Sequence, residues 1–166
     1  EESVVVRVGA LAGPNLAREL LDGQPSASVI ASKFDEVIKR ADAVLSSPQL
    51  HVFHTHDLLG AELAGVLKHV VALGSGILKG YGLGKNVQAM LITRGLHEMI
   101  HFGQALGSDK TAFFGTAGIG DLIATATSAK SRNYTFGFRL GSGESLEEVR
   151  ATSQELAAMF PCTNAG

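Results

Sequence analysis

DLLGAELAGVLKHVVALGSGIL, residues 57–78, is where the chain changes character. Asp57 stands in an N-cap position, and a long helix is predicted from it to about Leu78. Upstream the pattern is mixed. Residues 4–12 are β-branched and apolar and read as a buried strand. Gly13-Pro14-Asn15 breaks that strand, residues 16–21 read as a short helix, and Asp22-Gly23-Gln24-Pro25 is a turn. Residues 27–31 and 49–55 read as further strands, with Ser32 capping a helix over 33–45 between them. This β–α–β–α–β alternation is expected to be part of an open α/β sheet. Downstream no strand is evident. Residues 80–84 (GYGLG) read as a loop, and helices are predicted over 86–106, 111–114, 121–127 and 145–159. The fold class is therefore an α/β remnant, residues 1–56, followed by a mainly α-helical domain, residues 57–157, with a divergent tail over 158–166.

The 166 residues suffice for a domain with a sizeable core. The composition is globular, 45% hydrophobic and 18% charged, and the net charge of -2 argues against a nucleic-acid partner. Residues 58–78 are the most apolar stretch, but Glu62, Lys68, His69 and four glycines interrupt it, so no membrane span is expected. The opening Glu1-Glu2-Ser3 does not read as a signal peptide. Cys162 is the single cysteine and has no partner for an intramolecular disulfide, which points to the cytoplasm.

Three charged or amide groups stand out downstream of the helix. GIGDLIATATSAKSRN, residues 118–133, places Asp121, Arg132 and Asn133 on one short segment rich in small residues. Lys68 is a lone cation on the long helix, and its helical neighbours Ala61, Ala64, Gly65, Ala72 and Ser75 include no carboxylate. Desolvation among such small side chains would make it a usable base. Against this, a lysine on an amphipathic helix commonly snorkels to the surface. Asp121 reads equally as an N-cap. Arg132-Asn133 can grip a phosphate through a planar donor fork and amide donors, or lie in a solvated loop.

Other patterns point elsewhere. His97-Glu98-Met99-Ile100-His101 matches HExxH on a predicted helix, but both histidines share the polar face with Arg94 and no third ligand stands at a suitable spacing, so no metal is expected. His51, His54 and His56 cluster in sequence, yet strand alternation turns His51 away from the other two. The GYGLG loop follows a helix rather than a strand, so it lacks the context of a dinucleotide-binding turn.

LAGPNLARELLDGQP, AELAGVLKHVVALGSGILKGYGLGKN, LITRGLHEM and GIGDLIATATSAKSRNYTFG, in this order, resemble NAD(P)-dependent glycerol-3-phosphate dehydrogenase of the bacterial type. The resemblance runs from Val4 to about Ala157. It implies the end of a Rossmann domain followed by a helical domain of the 6-phosphogluconate-dehydrogenase-like type. It also implies interconversion of sn-glycerol 3-phosphate and dihydroxyacetone phosphate with NAD or NADP, for glycerophospholipid biosynthesis. By the same resemblance Lys68 is the proton acceptor. Gly13, Asn15, Lys68, Asp121, Ser131, Arg132 and Asn133 contact substrate, and Ala17 and Arg132 contact the cofactor. A homodimer is a compatible assembly.

The chain departs from the family pattern in three places. The resemblance begins inside the Rossmann domain, so most of the cofactor site is expected to lie outside the chain, which by itself is expected to be inactive. His69 stands where the family has asparagine. Near Ala158 the pattern is lost, together with a glutamate that contacts the cofactor. A non-catalytic helical module that dimerises or binds a partner is the alternative from another class.

Overall fold

The computed structural model describes residues 6–159; Cys162 and most of the divergent tail fall outside them. Three strands, β1 (Ala10–Ala12), β2 (Ser26–Ala31) and β3 (Leu50–Thr55), form one sheet in that order. Two helices connect them, α1 (Ala17–Leu21) and α2 (Asp35–Leu45). Among the described residues only helices follow β3, as the sequence predicts. They are α3 (Leu58–Gly80), α4 (Lys85–Ala105), α5 (Thr111–Phe114), α6 (Asp121–Thr127), α7 (Arg132–Gly141) and α8 (Leu146–Met159), with a π-helical turn (Thr116–Gly120) before α6.

Three local expectations are corrected, and one strand direction is new. The first strand keeps only Ala10–Ala12 of the predicted 4–12, while residues 6–9 lie outside the sheet and residues 4 and 5 are not described. β1 runs antiparallel to β2, with Ala10 opposite Ala31 and Ala12 opposite Val29, whereas β2 and β3 are parallel. The connecting helices account for the difference. The five residues of α1 reach about 7 Å, too short to carry the chain back along β2, so β2 starts at the end where β1 stopped. The eleven residues of α2 reach about 16 Å and allow a parallel return. Ser32 does not cap α2: its hydroxyl donates to the Val8 carbonyl at 2.7 Å and accepts from Phe34 N. Gly80, predicted in a loop, is the last residue of α3.

α7 was not foreseen at all, although it packs along α3 more extensively than any other helix does. Its contacts explain both its existence and its concealment. A Cβ on Gly76 would stand 2.0 Å from the Tyr134 carbonyl oxygen, and one on Gly137 would stand 2.1 Å from that of Leu73. Gly80 and Gly141 are equally close to Phe138 O and Ile77 O, at 2.4 and 2.3 Å. Two glycine pairs spaced by four residues, Gly76/Gly80 and Gly137/Gly141, thus let the helix backbones touch. The register rises together on both helices, so α7 runs parallel to α3 and its N-terminus lies toward the middle of α3.

By length and composition α3 would pass for a membrane span. In the fold it is the axis against which α4, α6 and α7 pack. Ala64, Val71, Ala72, Met99, Phe113, Leu122 and Ala126 form the core around it. Phe113, fully buried, adds about 1.5–3 kcal/mol by its burial. The start of α3 is pinned by Asp57, as predicted. Its carboxylate accepts from Gly60 N at 2.8 Å, Ser108 Oγ at 2.7 Å and Asp109 N at 2.9 Å, which also ties down the α4–α5 turn. Asp57→Ala removes a cap and strands these donors, and is expected to cost about 2–3 kcal/mol. A chemical-denaturation midpoint equal to the parent's would refute this role.

Candidate active site

Lys68 and Asp121 meet in the interior. Lys68 lies midway along α3, and its Nζ donates to Asp121 Oδ2 at 2.5 Å, with the two side chains only 15% and 5% exposed. The lysine therefore does not snorkel to solvent. Thr125 Oγ1, one turn further along α6, donates to Asp121 Oδ1 at 3.2 Å. A buried carboxylate beside a half-buried ammonium is tolerable when each has the other and further hydrogen bonds.

Asp121 is not an N-cap either. The π-helical turn runs directly into α6, Gly120 has helical dihedrals, and no side chain caps the junction. Gly120 N bonds to Gly115 O at 3.3 Å, the wide spacing of a π turn. Gly118 is required there, because a Cβ would stand 2.2 Å from the Phe113 carbonyl oxygen. Absorbed into a helix, the carboxylate is released from capping and faces Lys68.

The far end of α6 is fixed separately. Ser75 Oγ donates to the Ala126 carbonyl at 2.5 Å, and Gln88 Nε2 reaches Ser75 Oγ at 2.8 Å and Ala126 O at 3.3 Å. Lys85 Nζ holds Gln88 Oε1 at 2.9 Å. This buried set satisfies a carbonyl that the helix end leaves unpaired and so sets the depth of Asp121.

The Ser131-Arg132-Asn133 triplet forms the head of α7. Ser131 is the N-cap and accepts from Tyr134 N at 3.3 Å; Arg132 is exposed and Asn133 half-buried. The pair therefore opens a helix rather than lying in a loop. Asn133 Nδ2 stands 2.8 Å from Nδ1 of His69, the residue after Lys68. Partial burial, then the neighbouring Lys68 ammonium, holds His69 below the usual histidine range; Asp121 opposes this shift and Arg132 adds to it. A helix N-terminus with an arginine and an amide in its first turn is suited to an anion, and a buried lysine–carboxylate pair beside it is suited to proton transfer.

Gly13 and Asn15 sit against β2. Gly13 has φ of 135°, and a Cβ there would stand 3.1 Å from Ala27 O, a position that only glycine holds without strain. Asn15 Oδ1 accepts from the buried Ser28 Oγ at 2.9 Å. Ala17 is exposed at the start of α1. An ion pair of 3.0 Å between Glu19 of α1 and Lys130 brings this segment beside the connection that leads to Ser131 and Arg132.

The histidine patterns resolve into separate contacts. His97 and His101 are exposed with their Nε2 atoms 3.2 Å apart, and Glu98 is paired with Arg94. Among the described residues no three His, Cys, Asp or Glu side chains group as metal ligands. His51 stands edge-on to Phe53, while His56 pairs with Asp35 at 2.8 Å. Sequence reasoning missed Thr125 and the Ser75–Gln88 anchor, which no motif announces. It also missed α7, for which the two glycine pairs spaced by four were the available signal. Two hollows of about 560 and 370 Å³ lie elsewhere, one around Arg7 and Lys39, the other between Phe53 and Thr116; Lys68 and Asp121 line neither.

Residues 57–164 match the family described as NAD-dependent glycerol-3-phosphate dehydrogenase C-terminus. Glycerol-3-phosphate dehydrogenase (NAD(P)+) of Corynebacterium glutamicum strain R is 49% identical over 152 residues, 91% of this chain and 46% of that protein. The Saccharophagus degradans protein of the same name is 45% identical over 149 residues, 90% of this chain and 42% of its own length. Among solved structures, glycerol-3-phosphate dehydrogenase from Coxiella burnetii superposes with a TM-score of 0.87 at 36% identity, covering 89% of this chain and 46% of that one. The chain thus spans less than half the length of these relatives.

Proposed function

We propose that this chain, which belongs to the NAD-dependent glycerol-3-phosphate dehydrogenase family, carries the substrate-binding and proton-transfer half of an enzyme that interconverts sn-glycerol 3-phosphate and dihydroxyacetone phosphate. The observation that carries this reading is the buried Lys68–Asp121 pair set beside the head of α7. A three-carbon phosphate ester needs both groups at once: a proton carrier at C2 and an anion holder at the far end.

The nicotinamide, when bound, supplies hydride donation and acceptance at C2. The residues present fit it in part. Ala17 and Arg132, on the two segments that the Glu19–Lys130 ion pair joins, would hold the cofactor. The three strands among the described residues carry no glycine-rich strand–turn–helix for the pyrophosphate. In reduction the Lys68 ammonium gives its proton to the developing C2 alkoxide, and in oxidation the amine takes the hydroxyl proton back. Asp121 holds Nζ in place and balances its charge. Arg132 and Asn133 receive the phosphate, aided by the N–H groups at the head of α7. Gly13 and Asn15 border the substrate from the sheet side. Reduction that feeds glycerophospholipid synthesis, in the cytoplasm and by a homodimer, is the setting this reading adopts, and the helical domain is taken as residues 57–157.

The test is a chimera in which this chain replaces the matching segment of the Corynebacterium glutamicum relative. It should reduce dihydroxyacetone phosphate with NADH or NADPH; a soluble, folded chimera without turnover above background refutes the proposal. In it, Arg132→Lys keeps the charge and loses the planar fork. That change should raise KM for dihydroxyacetone phosphate by about tenfold, with a much smaller effect for unphosphorylated dihydroxyacetone. Equal changes for the two substrates would remove the phosphate role.

A further inference from the structure

His69 touches the phosphate-binding triplet through a bond that depends on its charge. Asn133 Nδ2 lies 2.8 Å from His69 Nδ1. An amide nitrogen only donates, so Nδ1 accepts, and the proton of the neutral ring is on Nε2. A proton on Nδ1 would set one N–H against another, so the amide would have to turn over and present Oδ1, taking its N–H groups out of this arrangement. The charged groups facing the ring are Lys68 on its own helix, Asp121 at the head of α6 and Arg132 at the head of α7.

We propose that His69 is a positioning residue whose neutral ring holds the Asn133 amide with its second N–H turned toward the anion site at the head of α7, so that phosphate-ester affinity falls when the ring is protonated. This rests on the phosphate reading above. The sign follows from the direction of the shift. His69 is solvent-accessible, but partial desolvation and Lys68 keep the ring below the ordinary value of 6.5, so the neutral, holding form prevails at pH 7 and is lost as pH drops through the lowered value. Coulomb attraction alone predicts the opposite, because a protonated ring adds positive charge near an anion. The hydrogen bond from Asn133 to a charged phosphate is the larger effect, since it is direct and charge-assisted.

The experiment uses the 166-residue chain and its His69→Asn variant, titrated calorimetrically with sn-glycerol 3-phosphate from pH 8 to pH 5. The asparagine offers an acceptor oxygen at every pH, and the ligand's own second ionisation cancels in the ratio of the two affinities. The parent-to-variant affinity ratio should fall by about tenfold on acidification. In the parent alone, the side-chain amide resonances of Asn133 should titrate together with the His69 ring. A ratio that is flat or rises, or Asn133 signals that ignore His69, overturns the proposal. Absence of binding by the parent at pH 8 overturns the phosphate reading and this inference with it, whereas binding with a flat ratio overturns only this inference.

Discussion

Lys68→Ala in the chimera is expected to lower turnover by about 10²–10⁴-fold, the usual contribution of a general acid–base group. The loss should appear in kcat, which contains the step in which the proton moves. Asp121 would be left as a buried carboxylate without its cation, so a folding defect must be separated from a chemical one. The double variant Lys68→Met with Asp121→Asn removes both charges together. It should recover the parent's thermal stability more fully than Lys68→Ala does, and remain without turnover. A Lys68→Ala chimera that keeps near-parental turnover across pH would end the assignment.

Gly137→Ala is expected to destabilise the chain by more than about 3 kcal/mol, although it adds a single methyl group. That methyl would fall 2.1 Å from the Leu73 carbonyl oxygen and 3.1 Å from Ile77 N, both backbone atoms of α3 that cannot turn aside. Gly65→Ala, on α3, is the control. A Cβ there meets nothing within 4 Å, and the change should stabilise by about 0.5–1 kcal/mol through helix propensity. Urea midpoints of the two variants should move in opposite directions. A Gly137→Ala midpoint at the parent's value would show that α7 does not need this close approach.

The parts of the fold written in local chemistry were legible. Asp57 announced α3 because an N-cap is a local signal, and the alternation before residue 56 announced a sheet followed by helices. The parts written in long-range contact were not. β1 and β2 run antiparallel because α1 is short, which no residue in either strand declares. α7 was hidden by its own glycines, which weaken a helix in isolation and count in its favour only once α3 lies against them. The candidate site divides in the same way. Lys68 was singled out for its uncharged neighbours, but its partner Asp121 is 53 residues away and read as a helix cap until the π-helical turn supplied the helix start. His69 was noticed as a departure, yet only the fold brings it against Asn133.

The contact between α3 and α7 has one more consequence. Where side chains separate two helices, a substitution can be absorbed by new rotamers and the spacing drifts. Here carbonyl oxygens and amide nitrogens of one helix rest on the glycines of the other, and a backbone has no rotamers. The spacing between the α3 backbone at Lys68 and the first turn of α7 is therefore set by backbone contact. In the function proposed, that spacing would match a ligand by length, from the C2 hydroxyl that exchanges its proton with Lys68 to the phosphate end. A longer or shorter phosphate ester would misfit at Lys68 or at Arg132 and Asn133, whose spacing the helix contact sets.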